Sequence, residues 1–413
     1  MASREGTAAS ATEKWLSIVG IGEDGENGLS PLARRAISGA EFVFGGRRHL
    51  DLAAGLIRGE ARPWPLPFDP TMKEVLSLRG HKVCVLASGD PFHFGVGATL
   101  ARHVDMSEIQ VLPAPSAFSL AAARLGWPLQ EVETVSLHGR PIELILPLFH
   151  PGRRVLALTS DGDGPRAVAA LLAQNGFGRS RVYVLEALGG PQERITAFTA
   201  KDMGDTAFHS LNVLAIEVAA TEDARILPLC AGLPDALFEH DGQITKREIR
   251  AMTLSALAPR RGEMLWDIGA GSGSISISWM LAHPSLRATA IERKADRTER
   301  IRRNASALGV PGLNVIEGSA PAAFTDLDTP DAIFIGGGGS DPAVTEPALY
   351  ALRPGGRLVA NAVTLEMEAV LLKLHERLGG DLVRVALSRA APVGGMSGWR
   401  PAMPVTQWTW TKP

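Results

Sequence analysis

The 413-residue sequence predicts an α/β protein of two successive units, and three observations lead there. Short apolar runs of strand character alternate with Ala-rich runs of helix character along the chain. Each half opens with an apolar run followed by a Gly-rich turn, Gly20-Ile21-Gly22 in the first and Gly269-Ala270-Gly271-Ser272-Gly273 in the second. Between the two series, Ala219 to Pro234 fits neither pattern, carrying Thr, Glu, Asp, two prolines and a glycine.

The elements follow in order. Residues 1–14 are small and polar, lack the apolar core of a signal peptide and read as a disordered tail. Strands are expected at Trp15–Val19, Lys82–Ala87, Arg154–Thr159, Arg181–Glu186 and Leu211–Val218, with helices at Ala117–Leu125 and Arg166–Gln174. These make a first domain over 15–218, followed by a linker at 219–232. The second domain, 233–413, begins with a helix at Lys246–Ala258. Its strands are expected at Met264–Ile268, Ala288–Ile291, Asn314–Ile316, Ala332–Ile335 and Arg357–Ala360. Several end in glycine or an acidic residue, the edge at which open α/β sheets take ligands.

Composition narrows the functional classes. Hydrophobic residues make up 45% and charged residues 21%, as in ordinary globular proteins. A net charge of -2 speaks against a general nucleic-acid binder. Two cysteines, Cys84 and Cys230, build neither a disulfide framework nor a Cys-rich zinc site, which fits a reducing cytoplasm. The ten histidines show no metal-ligand spacing, so no metal is expected. No run of eighteen apolar residues occurs, and no membrane span is expected.

The strongest motif is Asp267-Ile268-Gly269-Ala270-Gly271-Ser272-Gly273, between an apolar strand and a helix-like segment, Ser274–Leu281. Glycines let the backbone turn sharply and approach a ligand, and the helix start presents free N–H groups. Glu292 closes the next strand, placed to accept hydrogen bonds from two ribose hydroxyls. A dinucleotide fingerprint would need glycine where Ser274 stands. The motif instead resembles the cofactor loop of class I methyltransferases, which implies S-adenosylmethionine held by Asp267, Gly269, Ala270, Gly271, Ser272, Gly273 and Glu292. The same resemblance puts the loop with Ser319 and Ala320 against the adenine. The run Gly336-Gly337-Gly338-Gly339 offers no clamp for a planar amine but leaves room, so Gly337 and Gly338 are expected beside a large flat substrate.

In the first half, Ser88-Gly89-Asp90-Pro91-Phe92-His93-Phe94-Gly95 and the string Pro113 to Pro128, with Ser136-Leu137-His138-Gly139-Arg140, resemble the tetrapyrrole methylases, or class III methyltransferases. Within them the likeness is to the branch that methylates a precorrin at C5. It implies cofactor contacts at Gly20, Gly22, Gly89, Asp90, Pro91, Ser116, Ala117 and Leu158, and substrate contacts at His138 and Arg140. Ser116 could equally cap the following helix. The first loop departs from the family's Gly-x-Gly-Pro-Gly-Asp: here it reads Gly20-Ile21-Gly22-Glu23-Asp24-Gly25, so no catalytic aspartate is carried over.

The second half, with Gly232-Leu233-Pro234-Asp235, Gln243-Ile244-Thr245-Lys246 and Leu265 to Gly269, resembles the class I, Rossmann-like module that methylates C15 of the same macrocycle and decarboxylates it. Thr245 is implied on the cofactor side, and Lys246, with Arg247, Arg250 and Arg400, as candidate contacts to substrate carboxylates. Together the halves imply a bifunctional enzyme of cobalamin synthesis. It would use one S-adenosylmethionine site per domain and no metal, methylate at C5 and C15, and release CO2 from the C12 acetate. Both modules resemble proteins that self-associate, so a homo-oligomer, dimer or tetramer, is expected. Three rivals stay open: a methyltransferase for another tetrapyrrole, for RNA or for protein, a non-catalytic tetrapyrrole carrier, and an NAD-linked oxidoreductase, which the glycine spacing disfavours.

Overall fold

The computed structural model describes residues 14–413, so the tail expected at 1–14 lies outside the described residues except for Lys14. The chain forms two compact units. One comprises the chain up to Ile142 with His150–Ala224, the other Glu143–Phe149 with Arg225–Pro413.

The first unit holds two five-stranded sheets. Its first sheet contains β1 (Leu16–Ile21), β2 (Phe42–Gly45), β3 (Glu60–Pro63), β4 (Val83–Ser88) and β5 (Ile109–Leu112), in the order β3-β2-β4-β1-β5 and parallel throughout. Side chains alternate between its faces. Leu16, Ile18, Val83 and Val85 enter one apolar cluster, while Val19, Ile21, Cys84 and Leu86 enter another. A sheet covered on both faces reads as a continuous apolar run, which is why β1 and β4 stand out in the sequence.

The second sheet contains β6 (Val132–Ser136), β7 (Arg154–Leu158), β8 (Arg181–Glu186), β9 (Arg194–Thr199) and β10 (Asn212–Glu217), in the order β6-β7-β10-β8-β9. Only β6 and β7 pair in parallel; the other pairs are antiparallel. The helix Ala117–Leu125 covers this sheet, Phe118, Ala121 and Ala122 packing with Leu156, Leu185 and Val213.

The second unit is built on one seven-stranded sheet. Its strands are β11 (Met264–Ile268), β12 (Arg287–Glu292), β13 (Asn314–Glu317), β14 (Ala332–Ile335), β15 (Arg357–Ala362), β16 (Asp381–Val385) and, after the hairpin β17 (Ser388–Val393) and β18 (Met396–Pro401), β19 (Val405–Thr411). The order is β13-β12-β11-β14-β15-β19-β16, parallel from β13 to β15 and antiparallel at β19 and β16. Leu265, Ala290 and Phe334 face one cluster, Trp266, Ile291 and Ile335 the other. The expected helix Ser274–Leu281 coincides with the observed one, and Lys246 is the N-cap of the helix Arg247–Leu257.

No regular element lies between Glu217 and Asp235, yet the segment is anchored at both ends. Thr221 bonds the Gly176 carbonyl through its N–H and hydroxyl. Leu227 and Leu233 are buried among the apolar residues of the second unit.

Candidate functional site

In the second unit the sequence motif becomes a cradle at the carboxyl ends of β11, β12 and β14. Gly269, Gly271 and Gly273 all have positive φ (71°, 61° and 74°), where a side chain would be strained. A Cβ on Gly269 would lie 2.8 Å from the Gly337 backbone, so these two loops touch only because position 269 carries no side chain.

Asp267 is 1% exposed. Its Oδ2 accepts hydrogen bonds from the Ser276 N–H (3.1 Å) and hydroxyl (2.5 Å), while Oδ1 has no partner. Burial, and to a lesser degree the Glu292 charge, push its carboxyl up to about 6, against the bonds from Ser276 that lower it. A buried carboxylate with one bare oxygen calls for a further partner. Glu292 is also buried, its Oε2 accepting from the Gly271 N–H at 3.0 Å and its Oε1 from the Lys294 N–H at 3.0 Å. The Ser272 hydroxyl is buried without a partner as well.

A strap, residues 239–245, runs past this cradle, with the Gln243 carbonyl 3.8 Å from a Cβ placed on Gly271. It is held by the helix Ala295–Ala307. Arg297 donates to Asp241 (2.9 Å) and to Gln243 (2.9 Å), and Arg300 lies 3.3 Å from Asp241. The backbone bond from Gln243, then Arg297 and Arg300, hold the Asp241 carboxyl down at about 2. Asn304 donates to the carbonyls of Glu239 and Ser272, both at 3.0 Å, joining strap and cradle.

The remaining second-unit expectations divide. Ala270 packs at the edge of the core, and Thr245 is half-buried in the strap. Ser319 is exposed in the loop after β13, and Ala320 packs beside Trp266 and Phe324. Gly337 and Gly338 are exposed, and a Cβ on Gly338 would meet open space. Gly336 and Gly339 are glycine for a different reason, since side chains there would strike Phe334 and Met367. Lys246 is exposed. Arg250 is corrected: it is fully buried, donating to the carbonyls of Thr245 and Leu233 and pairing with Asp235 at 3.1 Å, and so pins the strap rather than meeting a ligand.

In the first unit three strand-end loops interlock. The Gly89 N–H donates to the Ile21 carbonyl (3.1 Å) and the Ala114 N–H to the Gly89 carbonyl (3.1 Å). A Cβ on Gly20 would collide with the Gly89 carbonyl and lie 2.6 Å from the Ala114 nitrogen. Gly89 has φ 53°, and its own Cβ would lie 2.7 Å from the Pro115 carbonyl. Asp90 Oδ1 accepts the Phe92 N–H at 2.8 Å, fixing the turn through the buried Pro91. Ser116 caps its helix, accepting the Ser119 N–H at 3.1 Å. Ala117 and Leu158 pack in one apolar cluster, so the structure brings these two expected contacts together. His138 and Arg140 are exposed on the loop after β6, the His138 ring 3.3 Å from the Thr159 carbonyl. Gly22 sits beside the Asp24 carboxylate, which turns back toward Gly28.

Sequence reasoning missed a polar cluster facing these loops. Arg48, paired with Glu23, lies 2.9 Å from both His49 Nε2 and Ser88 Oγ, which are 2.8 Å from each other. Burial, and then the Arg48 charge, push the His49 imidazole down to about 4. The one signal was the run Arg47-Arg48-His49 directly after a glycine pair. Asn304 gave no signal at all, since its partner Glu239 lies 65 residues away.

Two glycine-built cradles on parallel strand ends, one in each unit, are the architecture of a double methyltransferase. The comparisons agree. Residues 16–204 match the family model of tetrapyrrole (corrin/porphyrin) methylases, and residues 236–412 match a precorrin methyltransferase domain. The chain is 61% identical over 412 residues, all of this chain and of the relative, to a precorrin-6Y C(5,15)-methyltransferase [decarboxylating] from Sinorhizobium sp.. Two shorter relatives come from Salmonella typhimurium. A cobalt-precorrin-6B C(15)-methyltransferase (decarboxylating) is 36% identical over 39% of this chain and 85% of its own. A cobalt-precorrin-7 C(5)-methyltransferase is 30% identical over 44% of this chain and 88% of its own. The chain belongs to the family of precorrin-6Y C(5,15)-methyltransferases (decarboxylating). Membership in a methyltransferase family implies S-adenosylmethionine as methyl donor.

Proposed function

We propose that the chain binds S-adenosylmethionine once in each unit. The first unit would methylate a precorrin at C5. The second would methylate C15 and release CO2 from the C12 acetate, giving precorrin-8X from precorrin-6Y. The observation that carries the cofactor reading is the bare, buried Oδ1 of Asp267 beneath three left-handed glycines. The donor set fits the cofactor: a carboxylate for its ammonium group, a second carboxylate, Glu292, for its ribose, and a glycine floor that admits close approach.

When bound, S-adenosylmethionine supplies an electrophilic methyl group on a positively charged sulfur. The protein's part is positioning. Asp267 and Glu292 fix two ends of the ligand, Asn304 and Arg297 hold the strap alongside, and Gly337 and Gly338 leave space for a flat acceptor. The nucleophile is a meso carbon of the macrocycle, enamine-like in a reduced tetrapyrrole. Electrons released with CO2 pass into the conjugated ring, so the substrate serves as its own sink and no side chain is assigned that step. In the first unit Gly20, Gly22, Gly89, Asp90, Pro91, Ser116, Ala117 and Leu158 take the cofactor role, with His138 and Arg140 toward the substrate.

The same reading makes the protein a cytoplasmic homo-oligomer that acts on a small molecule rather than on nucleic acid. Support for self-association comes from the β17–β18 hairpin. It is a separate two-stranded sheet, an arrangement marginal by itself, and leaves Val393, Met396 and Trp399 61%, 80% and 77% exposed. Among the described residues no helix is long and apolar enough to cross a membrane.

The test is mass spectrometry of the product formed from precorrin-6Y and S-adenosylmethionine, using the intact protein, Asp267→Ala and Gly89→Arg. Intact protein should add two methyl groups and remove CO2, and each variant should stop at a different partial product. An intact protein that binds S-adenosylmethionine and leaves the precorrin mass unchanged overturns the assignment.

A further inference from the structure

The loop after β4 carries a feature that cofactor binding does not explain. Phe92 and Phe94 are 42% and 53% exposed, though burying aromatic rings is a main source of stability. Phe94 also has φ 58°, a left-handed conformation that a phenylalanine adopts only under constraint. The constraint is visible. Side chains on Gly95 and Gly97 would meet the Pro91 carbonyl at 2.5 and 2.7 Å, so the chain is wound tightly there and turns Phe94 outward. His93 stacks on Phe94, with ring centres 5.1 Å apart and planes at 25°. Both rings rest on the buried Phe118, at 5.1 and 6.1 Å. An aromatic surface backed by a rigid ring and held out at a cost in strain is a stacking platform.

At the start of the same loop lies the Arg48 cluster. A guanidinium only donates hydrogen bonds, so His49 Nε2 must accept from Arg48 and the ring proton sits on Nδ1. The Ser88 hydroxyl, 2.8 Å from the same nitrogen, donates to it while accepting from Arg48, so Ser88 helps to orient the guanidinium. Glu23 orients the guanidinium, whose side chain is 37% exposed. Of its five N–H donors, those to Glu23, His49 and Ser88 account for three. The rest suit a carboxylate.

We propose that Phe94, with Phe92, and Arg48, with Ser88, form the seat for a flat polycarboxylate macrocycle in the first unit. One face of the ring system lies on the phenyl groups, and one peripheral carboxylate lies on Arg48, which Ser88 helps to orient. The proposal rests on the reading that this unit methylates a tetrapyrrole. It adds to the expected contacts His138 and Arg140 a set of residues that fixes the ring plane and one edge.

The experiment is steady-state kinetics of C5 methylation by the full chain, with product masses resolved and S-adenosylmethionine binding measured separately by calorimetry. Phe94→Ala and Arg48→Gln should each raise the KM of the C5 step about tenfold. They should leave cofactor affinity and the C15 step unchanged, so that a singly methylated, decarboxylated product accumulates. Phe94→Gly relieves the left-handed strain that Phe94→Ala keeps, so it should unfold at a higher temperature than Phe94→Ala while still raising KM; a purely structural role predicts no change in KM. Phe94→Tyr should restore the C5 step. Unchanged KM in all variants overturns the seat alone. Weakened S-adenosylmethionine binding in parallel with KM also overturns it, by showing that the rings stack the cofactor's adenine. An intact protein that transfers no methyl group overturns the parent reading and the seat with it.

Discussion

Glu239 and Asn304 hold each other twice: the Glu239 N–H donates to Asn304 Oδ1 at 2.8 Å, and Asn304 Nδ2 donates to the Glu239 carbonyl at 3.0 Å. Asn304 also donates to the Ser272 carbonyl in the glycine loop and is only 2% exposed. One buried amide therefore fastens the strap to the cradle.

Replacing it should be felt in both places. Asn304→Ala leaves the Glu239 N–H and two carbonyls without their partner, which costs about 1–3 kcal/mol for a buried group. Thermal unfolding should show the loss. Calorimetry should show weaker S-adenosylmethionine binding in the second unit, and an unaltered affinity would mean that the strap does not govern the cradle.

Asp267 should set a pH limit on cofactor binding. Its carboxyl in the ligand-free protein is pushed up to about 6, and a cationic ligand favours the ionised form. Affinity in the second unit should therefore be flat above pH 6 and fall below it, by at most about tenfold per pH unit. Asp267→Asn should abolish this dependence and weaken binding on the order of thirtyfold.

The same residue acts on stability with the opposite sign from an ordinary paired acid. Its folded pKa lies above the unfolded value, so between about 4 and 6 the folded state holds a proton that the unfolded state has lost. Stability of the ligand-free protein should fall as pH rises through that window, and Asp267→Asn should flatten the curve. Asp241 behaves conventionally: its depressed pKa contributes stability above pH 4 that is lost as pH falls toward 2. Unfolding curves across pH 2–8 for Asp267→Asn and Asp241→Asn separate the contributions.

Arg250→Met should destabilise the second unit by about 3 kcal/mol, because Asp235 and two carbonyls lose their partner. Its effect on precorrin turnover should follow only from unfolding. A variant that is fully folded yet inactive would return Arg250 to the ligand contacts.

How much of this was legible in the sequence depends on how local each signal is. β1, β4 and β11 are buried on both faces and are followed by glycine turns, so their apolar runs marked them within a residue or two. β2 and β3 are four residues each: β2 left only the three-residue run Phe42-Val43-Phe44, too short to stand out, and β3, exposed along most of its length, left none. The exposed β16 to β18 were hidden for the same reason. In the site, Asp267 and the three glycines stand in one short motif, and Glu292 closes the very next strand, so all of them could be picked out locally. Arg250 was misread because charge suggested a surface contact, whereas three acceptors from the preceding segment surround it. The Arg48–Ser88 pair, 40 residues apart, is joined only because β2, which leads into the helix carrying Arg48, lies beside β4, which ends at Ser88.

The interlocked loops at Gly20, Gly89 and Ala114 bear on how such a protein changes over generations. A single methyl group added at Gly20 would collide with one loop and crowd a second, so that position has no acceptable neighbour one mutation away. Inherited variation in the first unit is thereby steered outward, to side chains such as His138 and Arg140 that touch no interlocked backbone. Changes at those exposed positions leave the junction behind them to be passed on intact.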